Sequence, residues 1–518
     1  MTIILLLLTL SATVTQIHSA RILAVLQTPS ISHQLPFRPV INELVNRGHE
    51  VVVITTDPQY PKTGAPKNLT EIDVHDVSYR IWNELMNDVM KADEGIVDQV
   101  LKVYKYLAIV FDAQLELKEV KDIVNKRKGD FDLLIVEGVV RPALAFSHVY
   151  KVPVIQINSL GPVIFNDHYI GAFTHPILYP HPWNNKIYNL TMWERIRNIY
   201  NIYKFKYIYD YHIGAYENEV LRKYFGLDIP PIDEMLKNIQ MLILNVHPLW
   251  TDNQPVPPNV IYMNNVHVTK RKELPKDLKS FLDSSKNGVV YFSFGSNVIP
   301  SALPSDKVKI LLETLSKLPY DVLMKWDTEE IPIKAKNIKV SKWLPQSDIL
   351  MHPKIKVFIT QGGLQSLDEA LIAGVPVIGI PLFTDQWYNV AKFEKHHIGI
   401  RIFIEELTEE ALTDAINKII YSDKSYRENM VRLYNLMQDQ PQPPLERVVW
   451  WIEHVIRHGS AAHMMPTTAN IGWVELLQLD IVVVVVSAIS FMLVVLVYVL
   501  YKVYKYLQRI RIRKLKKY

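Results

Sequence analysis

The sequence predicts an α/β protein: two domains, each built on a parallel sheet, followed by one C-terminal transmembrane helix. Strand-like and helix-like segments alternate from Arg21 to Thr56, and the alternation restarts at Gly288 and runs through residues 343–386. Such alternation builds parallel sheets whose ligands sit at the strands' carboxyl ends. Ile481 to Tyr501 is a run of 21 uncharged residues. As a helix it spans about 31 Å, the thickness of a hydrocarbon core. The 518 residues suffice for two or three domains.

Composition narrows the function classes. The chain has no cysteine, which excludes disulfides, thiolate zinc sites and a cysteine nucleophile. The formal charge is +4, but residues 502–518 carry eight Lys and Arg and no acid, which leaves −4 for the rest. The basic excess is therefore a tail and not a nucleic-acid-binding face, and no nucleic-acid partner is expected.

Ile3 to Leu10 is an apolar run too short to span a bilayer, and Ser11 to Ala20 is small and partly polar. Residues 1–20 read as a secretory signal peptide cut near Ala20, with His18 a poor fit three places before the cut. Arg21 to Leu26 is the first strand, Thr28 to His33 a loop, Pro39 to Arg47 a helix closed by Gly48, and Glu50 to Thr56 the second strand. His33 thus falls at the carboxyl edge of the sheet. Phe131 to Glu137 is another strand and ends on a carboxylate at the same edge.

Residues 60–125 and 160–230 are helix-like, aromatic-rich and weakly periodic. Tyr200, Tyr203, Tyr207 and Tyr211 fall at helical spacing. A helix packing this stripe on the core is expected; a pocket wall or a face resting on a membrane fits the same spacing. Asn68-Leu-Thr70 and Asn189-Leu-Thr191 have the form of N-glycosylation acceptors. Met241 to Asn245 is expected to be the last strand of a first domain over residues 21–250. Residues 251–286, rich in Pro, Asn and Lys, read as the linker to a second domain over residues 287–440.

The second domain opens with V-V-Y-F-S-F and Gly295-Ser296-Asn297. Further on, Val357 to Thr360 is a strand that Gln361-Gly362-Gly363 breaks. Leu364 to Ala373 is a helix with Leu364, Leu367, Leu371 and Ile372 at helical spacing, stopped by Gly374-Val375-Pro376. Val377 to Ile380 is the next strand, and Pro381 to Asp385 the loop beyond it. A glycine pair between a strand's end and a helix's start lets backbone approach a ligand, and the free N–H groups there suit a phosphate. Alone, the same pair also makes a plain tight turn.

Taken together, W-x-P-Q, T-x-G-G, E-A, G-V-P, G-x-P and D-Q, in that order between Trp343 and Gln386, resemble the donor-binding signature of the UDP-glycosyltransferases. The resemblance extends over nearly the whole chain. It implies the GT-B architecture, two Rossmann-like domains facing across a cleft, the first holding the acceptor and the second the UDP-sugar. Residue by residue, it implies that Trp343 stacks on the uracil, Gln346 hydrogen-bonds the uridine and Glu369 holds the ribose hydroxyls. Gly362, Gly363 and Gln365 would turn around the diphosphate, Gly295 and Ser296 would open toward the β-phosphate, and Asp385 and Gln386 would grip the sugar. Each role suits its side chain: a π-face for a base, a bidentate acceptor for a diol, amide donors for anionic oxygens. Gln361 stands where many members have histidine; glutamine still donates an N–H to phosphate but carries no charge.

The same resemblance makes His33 the general base for an acceptor hydroxyl, a task that needs a proton acceptor tuned near neutrality. Glu137 would be its orienting acid, where many members have aspartate. Asp130-Phe131-Asp132 has the D-x-D form of metal-dependent glycosyltransferases, but it precedes its strand at the amino edge. No metal and no resident cofactor are expected, the UDP-sugar being a co-substrate.

Residues 441–480 read as a return helix and membrane-proximal stem, since Glu446 to Trp451 resembles the helix with which family members cross back onto the first domain. Lys502, Lys505, Arg509, Arg511 and Arg513 follow the 481–501 span and place the 502–518 tail in the cytosol, with the body on the other side. Lys514 and Lys516 resemble a dilysine retrieval signal of the endoplasmic reticulum. The expectation is therefore a lumen-facing, bilayer-anchored enzyme that transfers a sugar, with inversion, from a UDP-sugar to a small lipophilic acceptor. Likeness to arthropod members favours glucose over glucuronic acid. The departures at Gln361 and Glu137 leave open a non-catalytic membrane protein that binds nucleotide sugar or a lipophilic ligand. A glycosidase needs two carboxylates facing one sugar, and only Glu137 is so placed. Homo-oligomerisation is left open.

Overall fold

The computed structural model describes residues 19–61, 63–91, 95–125, 129–163, 166–268 and 272–515. The expected signal peptide lies outside these but for Ser19 and Ala20. The chain divides into two compact units, Met1–Met465 and Pro466–Tyr518.

The first unit carries two wholly parallel sheets. One runs in the order β3-β2-β1-β4-β5-β6-β7 and the other β10-β9-β8-β11-β12-β13. The strands of the first are β1 (Arg21–Leu26), β2 (Glu50–Thr55), β3 (Leu69–Asp73), β4 (Leu133–Glu137), β5 (Val154–Asn158), β6 (Ile239–Leu244) and β7 (Val260–Tyr262). Those of the second are β8 (Val289–Ser293), β9 (Asp321–Lys325), β10 (Ile338–Ser341), β11 (Ile355–Thr360), β12 (Val377–Gly379) and β13 (Gly399–Arg401). Helices cover both faces of such sheets, so the central strands are continuous apolar runs; Val51 to Ile54 and Leu133 to Val136 are all buried. In each sheet the strand order reverses once, between β1 and β4 and between β8 and β11. The strands' carboxyl ends beside such a reversal are the usual ligand position in open α/β sheets.

The chain crosses back after the second sheet. In the Pro444–His458 helix, Val448, Val449, Ile452 and Val455 are buried in the same apolar cluster as Ile22 and Ala24 of β1 and Leu44 of the Ile31–Asn46 helix. Arg47 meets Glu453 at 3.1 Å, and Arg447 donates to the Tyr262 carbonyl at 2.7 Å. A segment late in the chain thus completes the first core.

The second unit holds the Leu479–Leu515 helix of 37 residues, long and apolar enough to cross a membrane. It continues through the basic residues past Tyr501, so it measures about 56 Å, well beyond one hydrocarbon core.

Five expectations are corrected. The first helix begins at Ile31 and not Pro39, so His33 lies in a helical first turn. Pro36 and Pro39 are accommodated because burial of Phe37, Val40, Ile41 and Leu44 outweighs the bonds they remove. Leu69–Asp73 is a strand within a stretch read as helical, and Val260–Tyr262 adds a seventh strand beyond the one read as last. The stretch read as linker also holds a helix, Lys276–Ser284. Finally, Tyr200, Tyr203, Tyr207 and Tyr211 face outward, 58–70% exposed. Asn198, Ile202, Phe205 and Tyr209 take the inner face.

Candidate active site

His33 and Glu137 meet at the β1–β4 switch. Because β1 and β4 pair in parallel, the end of β4 lies beside the turn that leads from β1 into the His33 helix. His33 Nδ1 is 2.8 Å from Glu137 Oε1 and 2.8 Å from Ser159 Oγ. Glu137 is buried, and its Oε2 accepts the Thr28 N–H at 3.1 Å. Both carboxylate oxygens are therefore committed, which fixes the imidazole's orientation. His33 Nε2 makes no hydrogen bond among the described residues. Asp132 of the D-x-D sequence accepts the Arg21 amide at 2.8 Å at the sheet's amino edge, away from this pair.

The β8–β11 switch supplies the glycine turns. Gly362 has φ +93°, and a Cβ there would meet Val390 Cγ2 at 2.4 Å, so only glycine fits. Gly363 is the N-cap residue of the Leu364–Ala373 helix, whose first N–H groups have no partner within the helix and suit an anion. Gly295, φ +74°, lies against Gln361: a Cβ on it would approach Gln361 Nε2 to 2.4 Å. Gln361 is itself buried and its Oε1 accepts from Thr360 Oγ1 at 3.0 Å. Ser296, on the same loop, is exposed.

Around these turns, Gln346 Nε2 donates to Glu369 Oε2 at 2.6 Å and Tyr291 donates to Gln346 Oε1 at 3.1 Å. Ser347 Oγ donates to the other Glu369 oxygen. Burial raises the Glu369 carboxyl above its ordinary range, and these two donors oppose that shift. Each carboxylate oxygen still has a lone pair for a diol. Trp343 is 65% exposed, an open π-face. Lys325 Nζ sits 4.5 Å from its ring centroid and donates to the Gly295 carbonyl at 2.9 Å. Burial holds the Lys325 amine below its usual value, with Glu369 opposing.

Asp385 begins the Gln386–Lys395 helix. It accepts Asn389 Nδ2 at 2.8 Å and Thr384 Oγ1 at 3.1 Å. Burial raises its carboxyl, with Asn389 the foremost opposing group and His33 among the others. Gln386 Oε1 accepts the Leu382 and Phe383 amides at 2.9 and 3.1 Å, so its oxygen holds the loop and its NH2 remains for a ligand.

Contacts between the loops of the two sheets line this edge. Asn297 Nδ2 donates to Ser30 Oγ at 2.9 Å, Gln365 Nε2 to the Ser159 carbonyl at 2.9 Å, and Trp250 Nε1 to Asn389 Oδ1 at 3.1 Å. The structure therefore gathers His33, Glu137, Gly295, Gln361, Gly362, Gly363, Gln365 and Asp385 along one edge between the sheets. Trp343, Gln346 and Glu369 lie toward the β9 side, linked through Lys325. Ser159, Lys325, Trp250 and Asn389 were not found by sequence reasoning. The one available signal was position: Ser159 and Lys325 end, or follow, strands of the predicted sheets.

The two glycosylation sequons differ. Asn68 Nδ2 donates to the Val45 and His49 carbonyls, both at 2.8 Å, so a glycan there would displace one bond. Asn189 is exposed.

Residues 21–518 match the family model described as UDP-glucoronosyl and UDP-glucosyl transferase. The chain is 34% identical over 487 residues to the ecdysteroid UDP-glucosyltransferase of Spodoptera littoralis nuclear polyhedrosis virus, covering 90% of this chain and 93% of that one. It is 27% identical over 475 residues to human UDP-glucuronosyltransferase 2B7, with 87% of each covered. Among solved structures, the glycotransferase of kitacinnamycin superposes with a TM-score of 0.57 at 17% identity, over 86% of this chain and 100% of its own. That likeness is one of fold, the GT-B architecture.

Proposed function

The chain belongs to the UDP-glucoronosyl and UDP-glucosyl transferase family and transfers a sugar from a UDP-sugar; on that premise we propose that the sugar is glucose and the acceptor a hydroxyl of a small lipophilic molecule. The observation that carries the chemistry is the 2.8 Å contact of His33 Nδ1 with buried Glu137, which leaves Nε2 without a hydrogen bond among the described residues. His33 Nε2 takes the acceptor's proton as its oxygen bonds to the anomeric carbon. The bond from that carbon to the UDP oxygen breaks, and UDP leaves with the electron pair. A single displacement inverts an α-linked donor into a β-glycoside. Glu137 stabilises the imidazolium, the amides at the Gly362-Gly363 helix start receive the diphosphate, and Asp385 with the Gln386 amide holds sugar hydroxyls. The Leu479–Leu515 helix anchors the enzyme, with the body in the lumen of the endoplasmic reticulum and the basic end cytosolic.

UDP release from membranes carrying the chain tests this, with UDP-glucose and UDP-glucuronate offered separately against phenols and steroids. An ecdysteroid belongs in the panel because the viral relative's name includes one. Release with UDP-glucose alone is expected; release with glucuronate alone would reassign the donor.

Trp343 gives a second check. Base–aromatic stacking is worth about 1–3 kcal/mol, or roughly 5- to 150-fold in affinity. Trp343→Ala is expected to weaken UDP binding by a factor in that range in titration calorimetry, while turnover at saturating donor stays near wild type. Unchanged UDP affinity would move the base elsewhere.

A further inference from the structure

The Met192–Ile208 helix and the turn that follows it have two apolar faces, and only one is used. Inward, Phe205 stacks on Trp183 with ring centroids 4.7 Å apart and is fully buried. Outward, Trp193, Ile196, Tyr200, Tyr203, Tyr207 and Tyr211 succeed one another at three- and four-residue steps and so share one face. They are 47–74% exposed. The stripe is about 27 Å long, more than the scatter of single surface apolar residues that needs no explanation.

Composition and charge identify what covers it. Five of the six side chains are Trp or Tyr, with an apolar body and a polar tip, the type enriched where hydrocarbon gives way to headgroups. Of the acids along this segment, Glu194 is held by Lys186 and Thr191, and Asp210 by Arg141 and Lys206. Arg195 and Arg197 are exposed and meet no carboxylate among the described residues. The unpaired charge beside the aromatic stripe is therefore cationic, which suits the phosphates of lipid headgroups. The chain also carries its own membrane-spanning helix, and tethering makes even weak surface binding effective.

We propose that this face lies in the headgroup layer of the bilayer in which the Leu479–Leu515 helix is anchored, so that the body docks on lipid through Trp193 to Tyr211. The proposal rests on the anchor reading above and adds a second, peripheral attachment.

The absence of cysteine makes the test direct. Single-cysteine variants of the full chain are prepared at Tyr203 on the stripe, at exposed Lys286 just before β8 as a water-facing control, and at Ile489 within the span. Each is labelled with an environment-sensitive fluorophore and reconstituted in phosphatidylcholine–phosphatidylserine vesicles. Quenching is read from nitroxide-bearing lipids and, separately, from aqueous iodide. The Tyr203→Cys label is expected to lose about half or more of its emission to the nitroxide lipid, as interfacial burial requires, and to be shielded from iodide. The Lys286→Cys label should do the reverse. If Ile489→Cys is quenched by lipid but Tyr203→Cys responds to iodide like the control, the docking proposal is overturned and the anchor stands. Shielding from iodide without lipid quenching would assign the face to a protein and also overturn it. No lipid quenching at Ile489 would remove the anchor itself. Tyr207→Cys, one turn on, repeats the measurement against any local effect of the substitution.

Discussion

Replacing His33 with alanine is expected to lower turnover by about 10²- to 10⁴-fold, the usual contribution of a positioned general base, while UDP affinity is unchanged. The separation follows from where the groups lie. His33 and Glu137 belong to the first sheet's switch, whereas the groups read as holding UDP belong to the second sheet. Glu137→Gln sharpens the test. Glu137 accepts from both the His33 ring and the Thr28 amide, so it offers two oxygens to two donors. An amide in its place offers one oxygen and one NH2. Whichever way it turns, a donor faces either the Thr28 N–H or the imidazole Nδ1–H. The ring loses its fixed orientation and its counter-charge together, and turnover should fall almost as far as in His33→Ala. Single-turnover rates, with UDP titration alongside, would check both variants. Wild-type turnover in His33→Ala would rule out the base; a joint loss of UDP affinity would mean that the substitution disturbs the donor site instead.

The central strands and the glycine-bounded helix were readable because one physical demand shaped each. Parallel strands buried on both faces must be continuously apolar, and Val51 to Ile54 and Leu133 to Val136 are. The Leu364–Ala373 helix is delimited by Gly363 and by Gly374, whose φ of +63° ends it in the left-handed conformation. Where the demand is weaker, the sequence is mute. The strand Leu69–Asp73 is at a sheet edge, with Thr70 and Asp73 exposed, and the strand Val260–Tyr262 is three residues long. Neither can announce itself by pattern. The first helix starts before Pro39 because packing of Phe37, Val40, Ile41 and Leu44 overrides the two prolines within it. The tyrosine stripe failed differently. Ile202, Phe205 and Tyr209 repeat at the same helical spacing as the exposed tyrosines, and periodicity cannot say which of two apolar faces goes inside.

At the site, legibility followed the motifs. Residues between Trp343 and Gln386 are near in sequence and carry a shared pattern, and His33 and Glu137 stand at strand ends. Ser159, Trp250, Lys325 and Asn389 have no motif. They reach the site only because strand order and register bring distant loops to one edge, as when Ser159 contacts both His33 and Gln365.

Asn389 is the missed residue with the largest expected effect. It is 3% exposed and makes three hydrogen bonds of different purpose. Its Nδ2 donates to the Gly362 carbonyl at 2.9 Å and to Asp385 Oδ2 at 2.8 Å, and its Oδ1 accepts Trp250 Nε1 from the first domain at 3.1 Å. One amide thus ties the glycine turn, the Asp385 carboxylate and the opposite domain. Asn389→Ala leaves the Trp250 N–H and the Gly362 carbonyl without partners, a cost of about 1–3 kcal/mol for each buried group, read as a lower denaturation midpoint. It also has a signature that lost packing alone would not give. Asn389 is the foremost group opposing the burial that raises Asp385, so its removal raises that carboxyl further. A carboxylate with a higher folded-state pKa loses its charge sooner as pH falls. The acid limb of the kcat/KM profile should therefore move to higher pH in Asn389→Ala. Trp250→Phe removes the cross-domain bond, together with part of the buried indole packed on His396 and Phe393, and keeps the Asn389–Asp385 contact. It should cost stability, about 1 kcal/mol for the bond and more for the lost packing, with the acid limb unmoved. If both variants lose stability and neither shifts the profile, Asn389 braces the domains without tuning Asp385; if Asn389→Ala alone shifts it, the bond from Asn389 is what sets the charge on Asp385.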